Sequence, residues 1–314
     1  MTSSRTGCAR FIALFLFCFG VHTRQSAAQS ASIENHQDAS AEPRTFPLWE
    51  GRAPGALGEA DEDRPTITVY QPSDDHAPAP AVIVFPGGSY TWLATNHEGR
   101  QAANWLNACG MVAFVVKYRV GPKYHDPIEL GDAQRAIRWV RSRAAELHVT
   151  STKIGVMGFS AGGHLASTTE THFDGGDPNA ADRIDRASSR PDFAILAYPV
   201  ISFVADYAHR YSWENLLGKD ATPEMRRALS NEFNVTPQTP PTFLFSSSTD
   251  MTVPPENSVV FYRALLKAKV PAELHIFQTA PHGVGLDLDD PAVGEWSTLL
   301  LNWLRANRFL PNAD

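Results

Sequence analysis

The sequence predicts an α/β protein with a mostly parallel, doubly wound sheet flanked by helices. Three observations carry this. Unbroken apolar runs such as Ala81-Val82-Ile83-Val84-Phe85 recur along the chain, segments of helical character separate them, and glycine-rich turns follow two of the runs directly. An apolar run without polar alternation is what a strand buried on both faces requires, and alternating β and α elements at this spacing imply a parallel sheet covered by helices. The chain has 314 residues with 43% hydrophobic content, enough for a sizeable core. A single α/β sheet commonly reaches this length.

The N-terminal segment is set apart from the fold. Arg5 and Arg10 precede an apolar run from Phe11 to Phe19, followed by Ser26-Ala27-Ala28. The run is too short to span a bilayer as a helix, and small residues stand where a signal peptidase cuts. Residues 1–28 therefore read as a signal peptide cleaved after Ala28, and the mature protein as secreted or periplasmic, with no membrane attachment after cleavage. Cleavage takes away Arg5, Arg10 and Arg24 and no acid, so the formal charge moves from −7 to −10. An acidic protein is a poor partner for nucleic acid or an anionic membrane. Cleavage also removes Cys8 and Cys18, leaving Cys109 without a disulfide partner.

Residues 29–64, rich in Ala, Ser, Glu, Asp, Pro and Gly, read as a flexible lead-in that becomes ordered near Phe46-Pro47-Leu48-Trp49. The folded domain is placed at 65–314. Strands are expected at Thr66 to Gln71, Ala81 to Phe85, Met111 to Tyr118, Lys153 to Met157, Phe193 to Tyr198, Thr242 to Ser246 and Ala272 to Phe277. Helices are expected at His97 to Cys109 (stopped by Gly110), Ile128 to Leu147, from His164 onward, and at about Pro255 to Ala268 and Pro291 to Asn307. The stretch at about 200–236 is longer than a simple crossover and contains Phe203, Tyr207, Tyr211, Trp213 and Phe233. It reads as a small cap.

In such sheets ligands sit beyond the carboxyl ends of the strands, so every catalytic candidate should follow a strand. Ser160 does, in Gly158-Phe159-Ser160-Ala161-Gly162. Glycines at ±2 suit a sharp strand–helix turn that pushes the hydroxyl out at the top of the sheet. The following amides then lie at a helix N-terminus, where partial positive charge suits a developing oxyanion. A serine needs a base, and in this arrangement the partners follow in the order Ser, then Asp or Glu, then His. Asp250 follows the strand at Thr242 to Ser246, and His282 follows the strand ending at Phe277. Asp287 and Asp289 come after the histidine, in the wrong order. His164 reads as a scaffold hydrogen bonder. Pro86-Gly87-Gly88-Ser89-Tyr90, at the end of another strand, supplies a second donor loop, so the amides of Gly88 or Ser89 and of Ala161 are expected to form an oxyanion hole.

Together these residues resemble the α/β hydrolases, in particular the secreted carbohydrate-esterase branch that includes acetylxylan esterase and feruloyl esterase-like (BD-FAE-like) proteins. The resemblance runs from about Ala81 to the C-terminus. It rests on Pro86 to Tyr90, Glu98-Gly99, Lys117-Tyr118-Arg119, Asp132 to Ala136, Gly158 to His164, Asp250 and His282. Pro86 and Ser89 stand where the HGGG-type motif has His and its last Gly. The resemblance implies a serine esterase acting on a small ester or an acetylated polysaccharide such as xylan, without a metal or other cofactor. It also implies that Asp132 and Arg135 brace the strand ends. Tyr90 and Trp92, after the oxyanion loop, are placed to line the acyl pocket, and Trp213 of the cap to stack on a sugar. The alternatives are a serine peptidase of prolyl-oligopeptidase type, a feruloyl esterase or lipase, and a non-catalytic binding protein that keeps the fold. The complete Ser, Asp, His order argues against the last, and the lack of a strongly apolar lid against a lipase.

Overall fold

The computed structural model describes residues 42–72 and 78–311; the signal-peptide reading of 1–28 and the first part of the lead-in lie outside the described residues. Eight strands form one sheet: β1 (Arg44–Pro47), β2 (Thr66–Tyr70), β3 (Ala79–Phe85), β4 (Val112–Lys117), β5 (Val149–Phe159), β6 (Phe193–Ala197), β7 (Thr242–Ser247) and β8 (Ala272–Phe277). Their order is β1-β2-β4-β3-β5-β6-β7-β8. β1 and β2 pair antiparallel at one edge, β2 meets β4 antiparallel, and every pairing from β4 to β8 is parallel. The helices are α1 (Gln101–Ala108), α2 (Ile128–Ser142), α3 (Ala161–Thr171), α4 (Arg210–Leu217), α5 (Pro223–Ala228), α6 (Glu256–Lys267) and α7 (Glu295–Ala306).

The apolar runs do what their composition predicts. Along β3, Ala81, Ile83 and Phe85 enter one core with Ile137 and Val140 of α2, Leu165 of α3 and Phe261 of α6. Val82 and Val84 enter a second core on the other face, with Leu106 of α1 and Trp296 and Leu300 of α7. Successive strand side chains point to opposite faces, so a strand covered by helices on both sides must be apolar throughout. The Trp296 ring stacks on Phe245 of β7, centroids 4.8 Å apart.

Three readings are corrected. Residues 42–64, assigned to a flexible lead-in that becomes ordered near Phe46, are ordered as part of the domain: they carry β1, which extends the sheet along β2, and bury Leu48 and Asp63. Arg135 holds this segment through the Leu48 carbonyl (2.9 Å), Arg119 through that of Pro54 (2.7 Å), and both guanidiniums lie against the Trp49 ring. A segment of low hydrophobicity is thus ordered by cation–π and hydrogen-bond contacts from the domain. Asp132 braces a strand end as expected: it holds Arg119, two residues past the end of β4, with both carboxylate oxygens (3.0 and 2.6 Å) and takes its amide as well. The helix placed at His97 to Cys109 begins instead with a wide, π-type turn at Thr95–Arg100 before α1. The helix placed at Ile128 to Leu147 ends at Ser142, whose hydroxyl bonds back to the Trp139 carbonyl.

Glu129 of α2 is fully buried, and neither carboxyl oxygen has a hydrogen-bond partner in another described residue. Burial, reinforced by the charges of Asp126 and Asp132, pushes its pKa up from 4.5 to about 8. Between those values the folded state holds a proton that the unfolded chain releases. Stability therefore falls as pH rises from 4.5 to about 8, by up to ~1.4 kcal/mol per pH unit. Glu129→Gln removes the titration. Its denaturant midpoint is expected to exceed wild type at pH 8 and above, with the gain vanishing near pH 4; an equal effect at both pH values contradicts this.

Candidate active site

Ser160 joins β5 to α3 with φ 54° and ψ −121°, a left-handed conformation that a non-glycine residue holds only at a cost of about 1–3 kcal/mol. The glycines at ±2 permit it. A Cβ on Gly158 would lie 2.1 Å from the Gly162 carbonyl oxygen, and one on Gly162 would lie 2.1 Å from that of Phe85. The turn is locked by hydrogen bonds from the Ser160 amide to the Ala197 carbonyl, and from the His164 and Val200 amides to the Ser160 carbonyl.

The three residues expected to converge do so. Ser160 Oγ lies 2.7 Å from His282 Nε2, and His282 Nδ1 lies 2.7 Å from Asp250 Oδ2. Asp250 follows β7, is buried, and its other oxygen accepts the amides of Thr252 (3.0 Å) and Val253 (2.9 Å). With both oxygens engaged, the carboxylate has one orientation, and its lone pair on Oδ2 selects the histidine tautomer protonated at Nδ1. Nε2 is then a free acceptor for the serine proton. Tyr198, after β6, packs edge-on against the His282 ring at 5.1 Å.

The second donor loop lies beside the serine: a Cβ on Gly87 would sit 3.0 Å from Ser160 Cβ. Among the described residues the amides of Gly88, Ser89 and Ala161 make no hydrogen bond, whereas the Gly87 amide is taken by Glu98 Oε2 at 2.8 Å. Both second-loop candidates expected from sequence, Gly88 and Ser89, therefore keep an amide available. Gly88 has φ 133°, and a Cβ there would lie 2.0 Å from the Trp92 carbonyl oxygen, so only glycine fits.

Of the braces on this loop, His164 is the scaffold hydrogen bonder expected from sequence, whereas the roles of Glu98, Tyr198 and Asn215 escaped the sequence reading. Glu98, buried by the π-type turn, accepts the Gly87 amide with one oxygen and the Tyr198 hydroxyl (2.9 Å) with the other. That hydroxyl in turn accepts the Gly285 amide, three residues beyond His282, at 2.8 Å. Glu98 therefore links the oxyanion loop to the histidine loop. Burial pushes its pKa up, while the two donated hydrogen bonds oppose the rise. Ser89 (φ 54°) and Tyr90 (φ 59°) are also left-handed. The Ser89 carbonyl accepts from Asn215 Nδ2 at 2.8 Å. The Tyr90 hydroxyl lies 2.8 Å from His164 Nδ1, and His164 Nε2 lies 2.8 Å from the Leu229 carbonyl. A backbone carbonyl can only accept, so Nε2 carries the proton and Nδ1 receives the Tyr90 hydroxyl. Burial keeps His164 neutral, its pKa down to about 4.

The pocket residues fare differently. Tyr90 is fully buried, with its hydroxyl spent on His164, and does not line an open acyl pocket; its left-handed backbone turns the ring inward. Trp92 is 58% exposed beside the oxyanion loop. Trp213 is half-buried against the main core, with the Arg226 guanidinium over its ring at 5.0 Å. The 200–236 stretch folds as α4, α5 and a 3-10 turn at Asn231–Phe233, and α4 reaches the oxyanion loop through Asn215.

Residues 67–265 match the sequence model of the BD-FAE family. The chain belongs to that family. Like other BD-FAE proteins it is an α/β hydrolase, and the carbohydrate-esterase resemblance drawn from the sequence holds. It is 32% identical over 254 residues to an acetylxylan esterase of Xylanibacter ruminicola, covering 80% of this chain and 50% of the relative. It is 36% identical over 238 residues to the endo-1,4-beta-xylanase B of Butyrivibrio fibrisolvens, covering 74% of this chain and 36% of the relative. The chain thus spans about a third to a half of the curated relatives it matches. A solved structure of an acetyl ester-xyloside bifunctional hydrolase from Caldicellulosiruptor lactoaceticus superposes with a TM-score of 0.81 at 45% identity, covering 85% of this chain and 97% of that one.

Proposed function

We propose that this BD-FAE protein is an exported serine esterase that removes acyl groups, acetyl foremost, from xylan or a related polysaccharide. The observation that carries the reading is the pair of 2.7 Å contacts running from Ser160 through His282 to Asp250. The names of the acetylxylan esterase and the acetyl ester-xyloside hydrolase support the acetyl-xylan choice. Export rests on the signal-peptide pattern of residues 1–28. No helix among the described residues is long and apolar enough to cross a membrane.

The chemistry is acyl transfer in two halves. Ser160 Oγ attacks the ester carbonyl carbon as its proton passes to His282 Nε2, and Asp250 stabilises the imidazolium through Nδ1–H. The carbonyl oxygen becomes an anion held by the amides of Gly88 or Ser89 and Ala161, fixed in place before reaction. The C–O bond to the sugar breaks, and the proton on Nε2 passes to the departing alkoxide. Water, deprotonated by His282, attacks the acyl-serine, and the same steps return free Ser160 and a carboxylic acid.

A substrate panel tests this. Acetate release from acetylated xylan and hydrolysis of aryl acetates are expected, with at least about 100-fold lower kcat/KM on peptide amides. Preference for amides would establish the prolyl-oligopeptidase-type alternative, and preference for feruloylated sugars would reassign the acyl group.

A further inference from the structure

We infer that the cavity flanking the oxyanion loop is a carbohydrate subsite, which takes neutral pyranose units adjoining the esterified sugar with Trp92 as its stacking platform. The inference rests on the esterase reading above and specifies how the polysaccharide is held.

Its location follows from the sheet order. β5, β3 and β4 are parallel neighbours, so Ser160, the oxyanion loop and the loop after Lys117 all leave the same rim. β2 is antiparallel to β4, with Thr66 opposite Lys117, so residues 61–65 enter at that rim too. Beyond β3, among the oxyanion loop, the loop after Lys117 and residues 61–65, lies a cavity of about 440 Å³ bounded by Trp92, Leu93, Pro122 and Tyr124 and by Asp61, Glu62, Arg64 and Pro65. That volume falls within the range of ligand sites. Neighbouring strands stand about 4.8 Å apart, so the cavity opens roughly 10–15 Å from Ser160, within reach of a sugar chain whose ester carbonyl is attacked by the serine.

Its chemistry selects the ligand. Trp92 is a large aromatic left 58% exposed, two residues after the fully buried Tyr90. The start of its ring is fixed against the oxyanion loop, since a Cβ on Gly88 would lie 3.2 Å from Trp92 Cδ2. An indole offers a flat apolar face and one N–H donor, which suits a pyranose ring with apolar C–H faces and polar edges. The rim carries ion pairs of Lys117 with Asp61 (2.7 Å) and of Lys123 with Glu62 and Asp63 (2.6 Å each), and Arg64 and the Asp132-paired Arg119 line it as well. Four cations (Arg64, Lys117, Arg119 and Lys123) thus meet four carboxylates (Asp61, Glu62, Asp63 and Asp132), which gives hydroxyl groups donors and acceptors without a net charge to select an anion or a cation. A fatty acyl chain would have to desolvate those pairs. The other aromatic proposed to stack on sugar, Trp213, already has Arg226 over its ring.

The test compares wild type, Trp92→Ala and Trp92→Phe on an aryl acetate and on acetylated xylo-oligosaccharides. The expected result is that the ratio of kcat/KM on the oligosaccharide to that on the aryl acetate falls about tenfold in Trp92→Ala and largely recovers in Trp92→Phe. Loosening of the oxyanion loop alone would lower both rates together and leave the ratio within twofold of wild type, which overturns the proposal. A loss that grows with acyl length on aryl esters also overturns it, by making the cavity the acyl pocket. Calorimetric titration of Ser160→Ala with unesterified xylo-oligosaccharides, with and without Trp92→Ala, reads the subsite independently of hydrolysis. Failure of the esterase reading is seen separately, as absence of aryl acetate turnover in wild type.

Discussion

Asp250→Asn is expected to lower kcat on aryl acetates by about 10⁴-fold, with KM nearly unchanged and the fold intact. The size follows from the hydrogen bonds. One Asp250 oxygen accepts the amides of Thr252 and Val253, so the carbonyl oxygen of an asparagine must occupy that place. Its NH2 group then faces His282 Nδ1 and demands an acceptor there. The imidazole answers by moving its proton to Nε2, which points that N–H at Ser160 Oγ and leaves the serine without a base. Because the arrangement of side chains is isosteric, substrate binding is largely spared. Steady-state kinetics of the variant, with circular dichroism to verify folding, read the effect; a loss under tenfold would contradict the proposed role.

Glu98→Ala is expected to lower kcat about 100-fold, although Glu98 touches neither substrate nor serine. It leaves the Gly87 amide and the Tyr198 hydroxyl without their acceptor, and frees the oxyanion loop and the histidine loop at once. Losing a single oxyanion donor costs about 10²–10³ in kcat, which bounds the effect from above. Glu98→Gln retains one acceptor and is expected to lose about tenfold, since its NH2 must face the Gly87 amide or the Tyr198 hydroxyl. Comparing the two variants in kcat and KM checks the claim. An equal loss in both would show that charge, and not acceptor geometry, is what matters.

Ser160, Asp250 and His282 could be found from sequence because each follows its own strand, and apolar runs expose strands even when they lie about 120 residues apart. The ±2 glycines were legible for the same local reason: their neighbours in space are also neighbours in sequence. Glu98 was not. Its partners Gly87 and Tyr198, and Gly285, whose amide the Tyr198 hydroxyl accepts, come from three different loops, and the π-type turn that aims it inward leaves the helical pattern almost undisturbed. Tyr90 was misplaced because its residue type suits a pocket, while its left-handed backbone, which only the surrounding hydrogen bonds sustain, turns it into the core. The strand β1 is not distinguished from the lead-in by sequence because its four residues alternate weakly, and the segment after it is held by arginines from elsewhere. The fold class rested on periodicity and was fully legible; the braces of the site rest on long-range polar contacts and were not.

The proposed mechanism makes Ser160 the acylated nucleophile. The most direct measurement is labelling of the wild-type protein with a fluorophosphonate, followed by peptide mass spectrometry and residual aryl acetate turnover. The expected result is one adduct per chain, on Ser160, accumulating in step with loss of turnover, and neither label nor turnover in folded Ser160→Ala. A folded Ser160→Ala variant that keeps wild-type turnover, or inactivation with the adduct on another residue, would contradict the assignment of Ser160 as nucleophile.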